Sequence, residues 1–273
     1  MAPVDDATRH SDILEINVKS CQERMPPRLR LAVACLAAVL CLAGGATHAA
    51  PTVLKVAILE NSPPMAYRDA DGRLTGFSVE IARALCQEMQ VHCEFQVIFL
   101  ERVIDALVGG EVDIAAVSLL DTPERRARII FAKPYFRSIS LWFARPGVMP
   151  GDQGVRVATV KGSAQERYVR QQGWDTVAVA TNGDLGKPLV AGVAQAAIVP
   201  MNTALNLVKD PEFRRLGFDS TVMKVPELVG NASFGISPHR PELKESVDSA
   251  LERIQRNGVY ERINTQFLPF RVH

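Results

Sequence analysis

A chain of 273 residues can form one large core or two medium ones, since domains of about 100 to 150 residues are the commonest, and two lobes is the first expectation. Hydrophobic residues at 47%, charged residues at 22% and a formal net charge of +1 describe a soluble globular chain, and they exclude a global attraction to nucleic acid or anionic membrane. Any basic site has to be local.

The first feature in chain order is an export leader. Met25 opens "MPPRLRLAVACLAAVLCLAGGATHAA", in which Arg28 and Arg30 form a positive head, residues 31–43 an apolar core and Thr47-His48-Ala49 a small-residue cleavage pattern. Cleavage is expected after Ala49, so that residues 25–49 are a signal peptide and residues 1–24 a misassigned extension ahead of the true start at Met25. The apolar core is shorter than the roughly 20 residues a spanning helix needs. An uncleaved anchor, or a lipid on Cys35 after "AVA", are the competing readings.

With the leader go Cys21, Cys35 and Cys41, leaving Cys86 and Cys93 in "LCQEMQVHCEF". An even pair in an exported chain reads as a disulfide, against the alternative of two unrelated buried thiols. The histidines are scattered, none at ligand spacing from another or from a cysteine, and neither a metal nor another cofactor is expected.

The mature chain alternates strand and helix. "TVLKVAIL" is a β-branched apolar run ended by "ENSPPMAY", whose paired prolines predict an exposed turn, and "RDADGRLTG" is a hairpin-type turn. Val79, Ala82, Leu85, Cys86 and Met89 share one helical face. Strand "CEFQVIF", a helix over residues 102–108 stopped by Gly109-Gly110, and strand "VDIAAVSLL" follow; the run "IAAV" is apolar on both faces, as in a buried parallel strand. A strand "SISLWFAR" then leads into "PGVMPGDQG", which reads as the linker to a second, smaller α/β lobe. There the strands are "VRVATV", "TVAVA" and "AQAAIV", with helices over residues 164–172, 185–190 and 202–208. "ASFGIS" is strand-like and returns to the first lobe, and an amphipathic helix pair broken at Asn257-Gly258 closes the chain. The expected division is residues 50–143 with 232–273 in the first lobe and 144–231 in the second, joined by a two-crossing hinge. Ligands in such units bind at the carboxyl ends of strands and in clefts between domains.

Two turns carry candidate chemistry. Thr122 and Pro123 can start a helix after "AAVSLLD", which puts Arg125 in its first turn beside the end of a strand. It is either a solvated arginine beside Arg126 and Arg128 or a fork of donors gripping a carboxylate. In "KGSAQE", Gly162 frees the turn, Ser163 fits an N-cap and Glu166 completes a capping box; that suffices structurally, but a helix N-terminus across a cleft from Arg125 would also hold an anion. No Gly-x-Ser-x-Gly, patterned Cys/His pair or Gly-rich phosphate loop appears, which argues against common hydrolases and NTPases.

From about residue 52 to 267 the chain resembles the family 3 extracellular solute-binding proteins, receptors for polar amino acids in ABC import systems. "DGRLTGFSVEIARALC", "ALVGGEVDIAAVS", "TPERRARIIFAKPYF", "VATVKGSAQE" and "ALERIQRNGVYERI" carry the likeness. The resemblance implies a two-lobed periplasmic-binding-protein fold, type II-like. It also implies a periplasmic location, a small-molecule ligand, a membrane ABC permease as partner, a monomer and no nucleic acid. Cys86 and Cys93 match a disulfide known in some of its receptors. The family's carboxylate-binding arginine falls on Arg125, a further binding residue on Ser118, and the turn of the second lobe on Gly162, Ser163 and Ala164. Three positions depart: Pro200 where the family's ammonium-binding aspartate is expected, Ser62 in place of a covering aromatic, and Leu120 in place of a hydroxyl. Either Glu60, in the loop after the first strand, supplies the missing charge, or the ligand has no α-amine. The expected function is binding and delivery of a small carboxylate-bearing solute, an amino acid or related organic acid, without catalysis. Its alternatives are a sensing or accessory binding protein and an enzyme like the periplasmic cyclohexadienyl dehydratases, for which Glu60 is the nominee as acid.

Overall fold

The computed structural model describes residues 53–271. The leader, its cleavage after Ala49, the start at Met25 and Cys35 lie outside the described residues. No helix among them is long and apolar enough to cross a membrane.

Two five-stranded sheets organise the chain. The first is built from β1 (Val53–Leu59), β4 (His92–Ile98), β5 (Ile114–Leu120), β6 (Ile130–Ser138) and β12 (Gly230–Ile236), in the order β4-β1-β5-β12-β6. β1 runs parallel to β4 and β5, while β12 is antiparallel to both β5 and β6. Helix α1 (Phe77–Glu88) packs on this sheet with α8 (Leu243–Arg256) and α9 (Val259–Phe267). The short α2 (Val103–Val108) covers the other face. Sequence explains the burial: β5, "IAAVSLL", is apolar at every position but Ser118 because both faces are covered. β4 alternates because it is an edge.

An aromatic column fills the first core. Tyr135 is stacked on Phe77 at 5.9 Å and on Phe234 at 4.5 Å, with the Tyr260 ring edge-on to Phe77. Burying such rings is the largest apolar contribution a single side chain makes. Cys86, near the end of α1, is bonded to Cys93 at the start of β4, so the expected disulfide is present.

The second sheet comprises β7 (Ser140–Ala144), β8 (Val157–Val160), β9 (Thr176–Val179), β10 (Ala196–Pro200) and β11 (Asp219–Val222), ordered β11-β7-β10-β8-β9. Helices α4 (Ala164–Gln171), α5 (Gly186–Val190), α6 (Met201–Leu207) and α7 (Pro211–Arg215) belong to this lobe. Each lobe is thus built on a five-stranded sheet, and the first carries a two-stranded one in addition.

The first passage between sheets, expected in residues 146–154, runs instead through Ile139. β6 ends at Ser138 in the first sheet, and β7 begins at Ser140 paired with β10 and β11. A single residue separates the strands, so the chain needs no loop to change lobes. "FAKPYF" is itself a strand, β6, in which Pro134 is tolerated because β6 is an edge and its register with β12 shifts beside that residue. The hairpin expected in "RDADGRLTG" is formed by β2 (Tyr67–Arg68) and β3 (Leu74–Thr75). The turn "SPPM" is less exposed than expected: Ser62 and Met65 are buried where the lobes meet.

Candidate functional site

The carboxyl ends of β1, β5, β8 and β10 converge on one cavity between the sheets, bordered by Leu59, Leu120, Val160 and Pro200. This is where the ends of parallel strands leave a crevice in α/β architecture. Loops from both lobes close over it.

Arg125 occupies its floor. Thr122 is in extended conformation and its hydroxyl accepts the Arg125 backbone N–H at 3.4 Å, capping the single helical turn α3 (Pro123–Arg126). That turn sorts three neighbouring arginines. Arg126 pairs with Asp121 and Arg128 with Asp105 at the surface, whereas Arg125 is turned inward and is only 6% exposed. Its guanidinium donates to two backbone carbonyls, Leu120 O at 3.1 Å and Gly162 O at 3.2 Å. Among the described residues no acidic side chain lies within ion-pair distance of it. Desolvation lowers its pKa from 12.5 to about 10, leaving the group charged at neutral pH. Carbonyl dipoles leave that positive charge without a counter-ion at the cavity floor.

Across the cavity stands the start of α4. Ser163 caps it by accepting the Glu166 N–H at 3.0 Å. The capping box closes one residue early, because the Glu166 carboxylate takes the N–H of Gly162 at 2.7 Å while the Ser163 N–H goes to Val160 O. Gly162 needs to be glycine: its φ is +76°, and a Cβ there would stand 2.5 Å from the Glu101 Cα of the other lobe. Ala164, the first residue of the helix, lines the cavity, and its backbone N–H belongs to the turn whose donors have no carbonyl four residues back to meet them.

Ser118 sits inside β5 with a left-handed φ of +56°, a conformation that costs a non-glycine residue about 1–3 kcal/mol. Its hydroxyl is 2.5 Å from the Tyr135 hydroxyl and 3.0 Å from that of Ser78, and Ser78 is 3.1 Å from Tyr135. Burial pushes the Tyr135 phenol up to about 12, so this triangle stays neutral.

The cavity wall therefore contains Arg125, Ser118, Leu120, Ser163, Ala164, Pro200 and Ser62 from the sequence expectation. Glu60 does not join them. It is exposed and borders a separate outer groove with Asn61, Tyr67 and Arg68. Its N–H bonds to Ile98 O, continuing the β1–β4 ladder by one residue, so strand alternation turns its side chain away from the face that Leu59 presents to the cavity.

Sequence reasoning passed over several lining residues: Ser78, Ser138, Asn182, Asn202 and Thr203 among the polar ones, Leu100, Phe136 and Ile198 among the apolar. Asn182 is the most connected. It donates to Ser62 Oγ across the cleft at 2.8 Å and accepts from Thr203 Oγ1 at 3.1 Å, and next to it Gly183 N–H reaches Asn61 O at 2.9 Å. Ion pairs Arg167–Glu124 and Lys161–Glu101 also join the lobes. A neutral asparagine in a short 3-10 turn carries no motif; only its spacing after the half-buried edge strand β9 could have drawn notice.

The family model of bacterial extracellular solute-binding proteins, family 3, matches residues 54–270. The L-arginine-binding protein of Pseudomonas aeruginosa is 25% identical over 239 residues, covering 83% of this chain and 92% of that protein. The lysine/arginine/ornithine-binding periplasmic protein of Escherichia coli is 25% identical over 245 residues, 86% of this chain and 94% of its own length. Among solved structures, an ancestral arginine-binding protein bound to glutamine superposes with a TM-score of 0.70 at 23% identity, over 80% of this chain and 98% of that one. An ancestral amino-acid-binding protein described as a precursor of cyclohexadienyl dehydratase gives 0.67 at 22%, over 79% and 95%. At that identity the structures speak for the fold: two lobes, each a sheet flanked by helices.

Proposed function

Because this chain belongs to the bacterial extracellular solute-binding proteins of family 3, we propose that it captures a small carboxylate-bearing solute between its lobes, in the periplasm, and delivers it as a monomer to an ABC importer. The observation that carries this reading is Arg125, a buried guanidinium at the cavity floor with carbonyl partners only. A carboxylate placed between it and the first turn of α4 would receive charge-assisted bonds from one lobe and backbone N–H groups from the other. Each lobe alone offers half of that site. The solute consequently favours the closed arrangement over the open one, and closure needs no covalent chemistry.

Two features of the relatives support the solute-binding role: both curated proteins named above bind amino acids, and one is described as periplasmic. Acid catalysis of the dehydratase type would need a carboxylic acid in the cavity. The described lining contains none, and Glu60 lies outside it.

The test is thermal denaturation with millimolar small carboxylates, for the native protein and Arg125→Ala. A ligand at a hundred times its dissociation constant adds about 2.7 kcal/mol of stability. That stabilisation is expected to vanish in Arg125→Ala; its full retention would place the carboxylate elsewhere.

A further inference from the structure

Charge balance in the cavity narrows the solute class. Resting on the solute-binding reading above, we propose that the solute is a monocarboxylate with no ammonium group, of the 2-oxo or 2-hydroxy acid class with a small aliphatic tail.

Among the described residues, Arg125 is the only charged side chain lining the cavity. One guanidinium balances one carboxylate. The ammonium of an amino acid would enter with no acid to meet it, and the acids that lie nearby are already engaged. Glu166 holds the Gly162 N–H and Arg170, Asp121 holds Arg126, and Asp184 holds Thr181 and Lys187. Glu60 points into the outer groove. At the end of β10, where an acid would face the cleft from the second lobe, stands Pro200, with neither charge nor N–H to offer.

What the wall does offer fits an uncharged oxygen. Ser138 and Asn202 supply a hydroxyl and an amide able to donate to a keto oxygen or to exchange bonds with a hydroxyl, and the Ser118 and Thr203 hydroxyls add lone pairs that can accept from one. Leu100, Leu120, Phe136 and Ile198 supply apolar surface for a hydrocarbon tail. A dicarboxylate or a basic amino acid would each carry a second charge into the same lining without a partner, which is costly.

Calorimetric titration of the purified protein tests this with matched pairs: pyruvate against alanine, 3-methyl-2-oxobutanoate against valine, and 4-methyl-2-oxopentanoate against leucine. 2-Oxoglutarate and L-arginine serve as the doubly functional comparisons. At least one oxo acid is expected to bind about a hundredfold more tightly than its amino acid, the factor an unpaired buried charge commands. Pro200→Asp is expected to shrink that ratio. An amino acid binding as tightly as its oxo acid, or tighter binding of 2-oxoglutarate or arginine, overturns the inference. If that binding is lost in Arg125→Ala, the carboxylate reading survives it. Binding that persists in Arg125→Ala, or silence across the whole set with folded protein, overturns both.

Discussion

The two lobes contribute to the cavity in opposite ways. The first supplies the one charge, Arg125, together with a hydroxyl triangle resting on an aromatic column and a disulfide beyond it. The second supplies only neutral groups: a helix start at Ser163, the amide of Asn182, a hydroxyl on Thr203 and the ring of Pro200. The lining is thus asymmetric in charge. The first lobe holds the buried charge with Gly162 O of the second lobe against it, and on the proposed reading the second lobe would select by what it withholds.

That asymmetry can be broken in three places, with effects of decreasing size. Replacing Cys86 and Cys93 together with serine should lower stability by about 2 kcal/mol, read as a shift in the denaturation midpoint. Solute affinity should stay within about twofold, because the bond lies at the far end of α1 from the cavity. A large loss of affinity would mean that the platform depends on the staple.

Arg125→Met should work in the opposite direction on the empty protein, raising its stability by about 1–2 kcal/mol while removing the response to carboxylates. The sign follows from the lowered pKa. Arg125 binds its proton less well folded than unfolded, so at neutral pH, below both values, the full cost of burying the charge is present. That cost is relieved only as pH rises past about 10. A destabilised Arg125→Met would show that the bonds to Leu120 and Gly162 outweigh desolvation. Asn182→Ala should have the smallest effect. It removes one bond across the cleft and one within the second lobe, and a fivefold loss of affinity corresponds to about 1 kcal/mol. Stability of the empty protein measured alongside separates a latch from a simple structural bond.

Much of this was legible beforehand where the signal is local. The apolar run of β5, the cap formed by Thr122 and Pro123, and the turn at Gly162 and Ser163 are each written within a few neighbouring residues, and each forms. What sequence could not supply depends on pairing at a distance. β6 contains Pro134 and looks unlike a strand until β12 is seen to pair with it through a register shift. β11 is an exposed edge with no alternation to betray it. Glu60 follows a strand that ends at the cleft, yet the ladder runs one residue further and reverses its side. Asn182 and Thr203 gain their roles only when the lobes meet, so no local pattern marks them.

The position of β12 has a consequence for the order in which the lobes can be completed as the chain emerges. It lies between β5 and β6, and it arrives only after the whole of the second lobe has been made. Residues 53–138 carry four strands of the first sheet but not the one that joins β6 to the rest. The helices α8 and α9, which cover that sheet, come later still. The second lobe, contiguous from β7 to β11, can close while the first waits. The last segment to emerge therefore completes the first lobe, and until then the carboxylate platform has no finished scaffold beneath it.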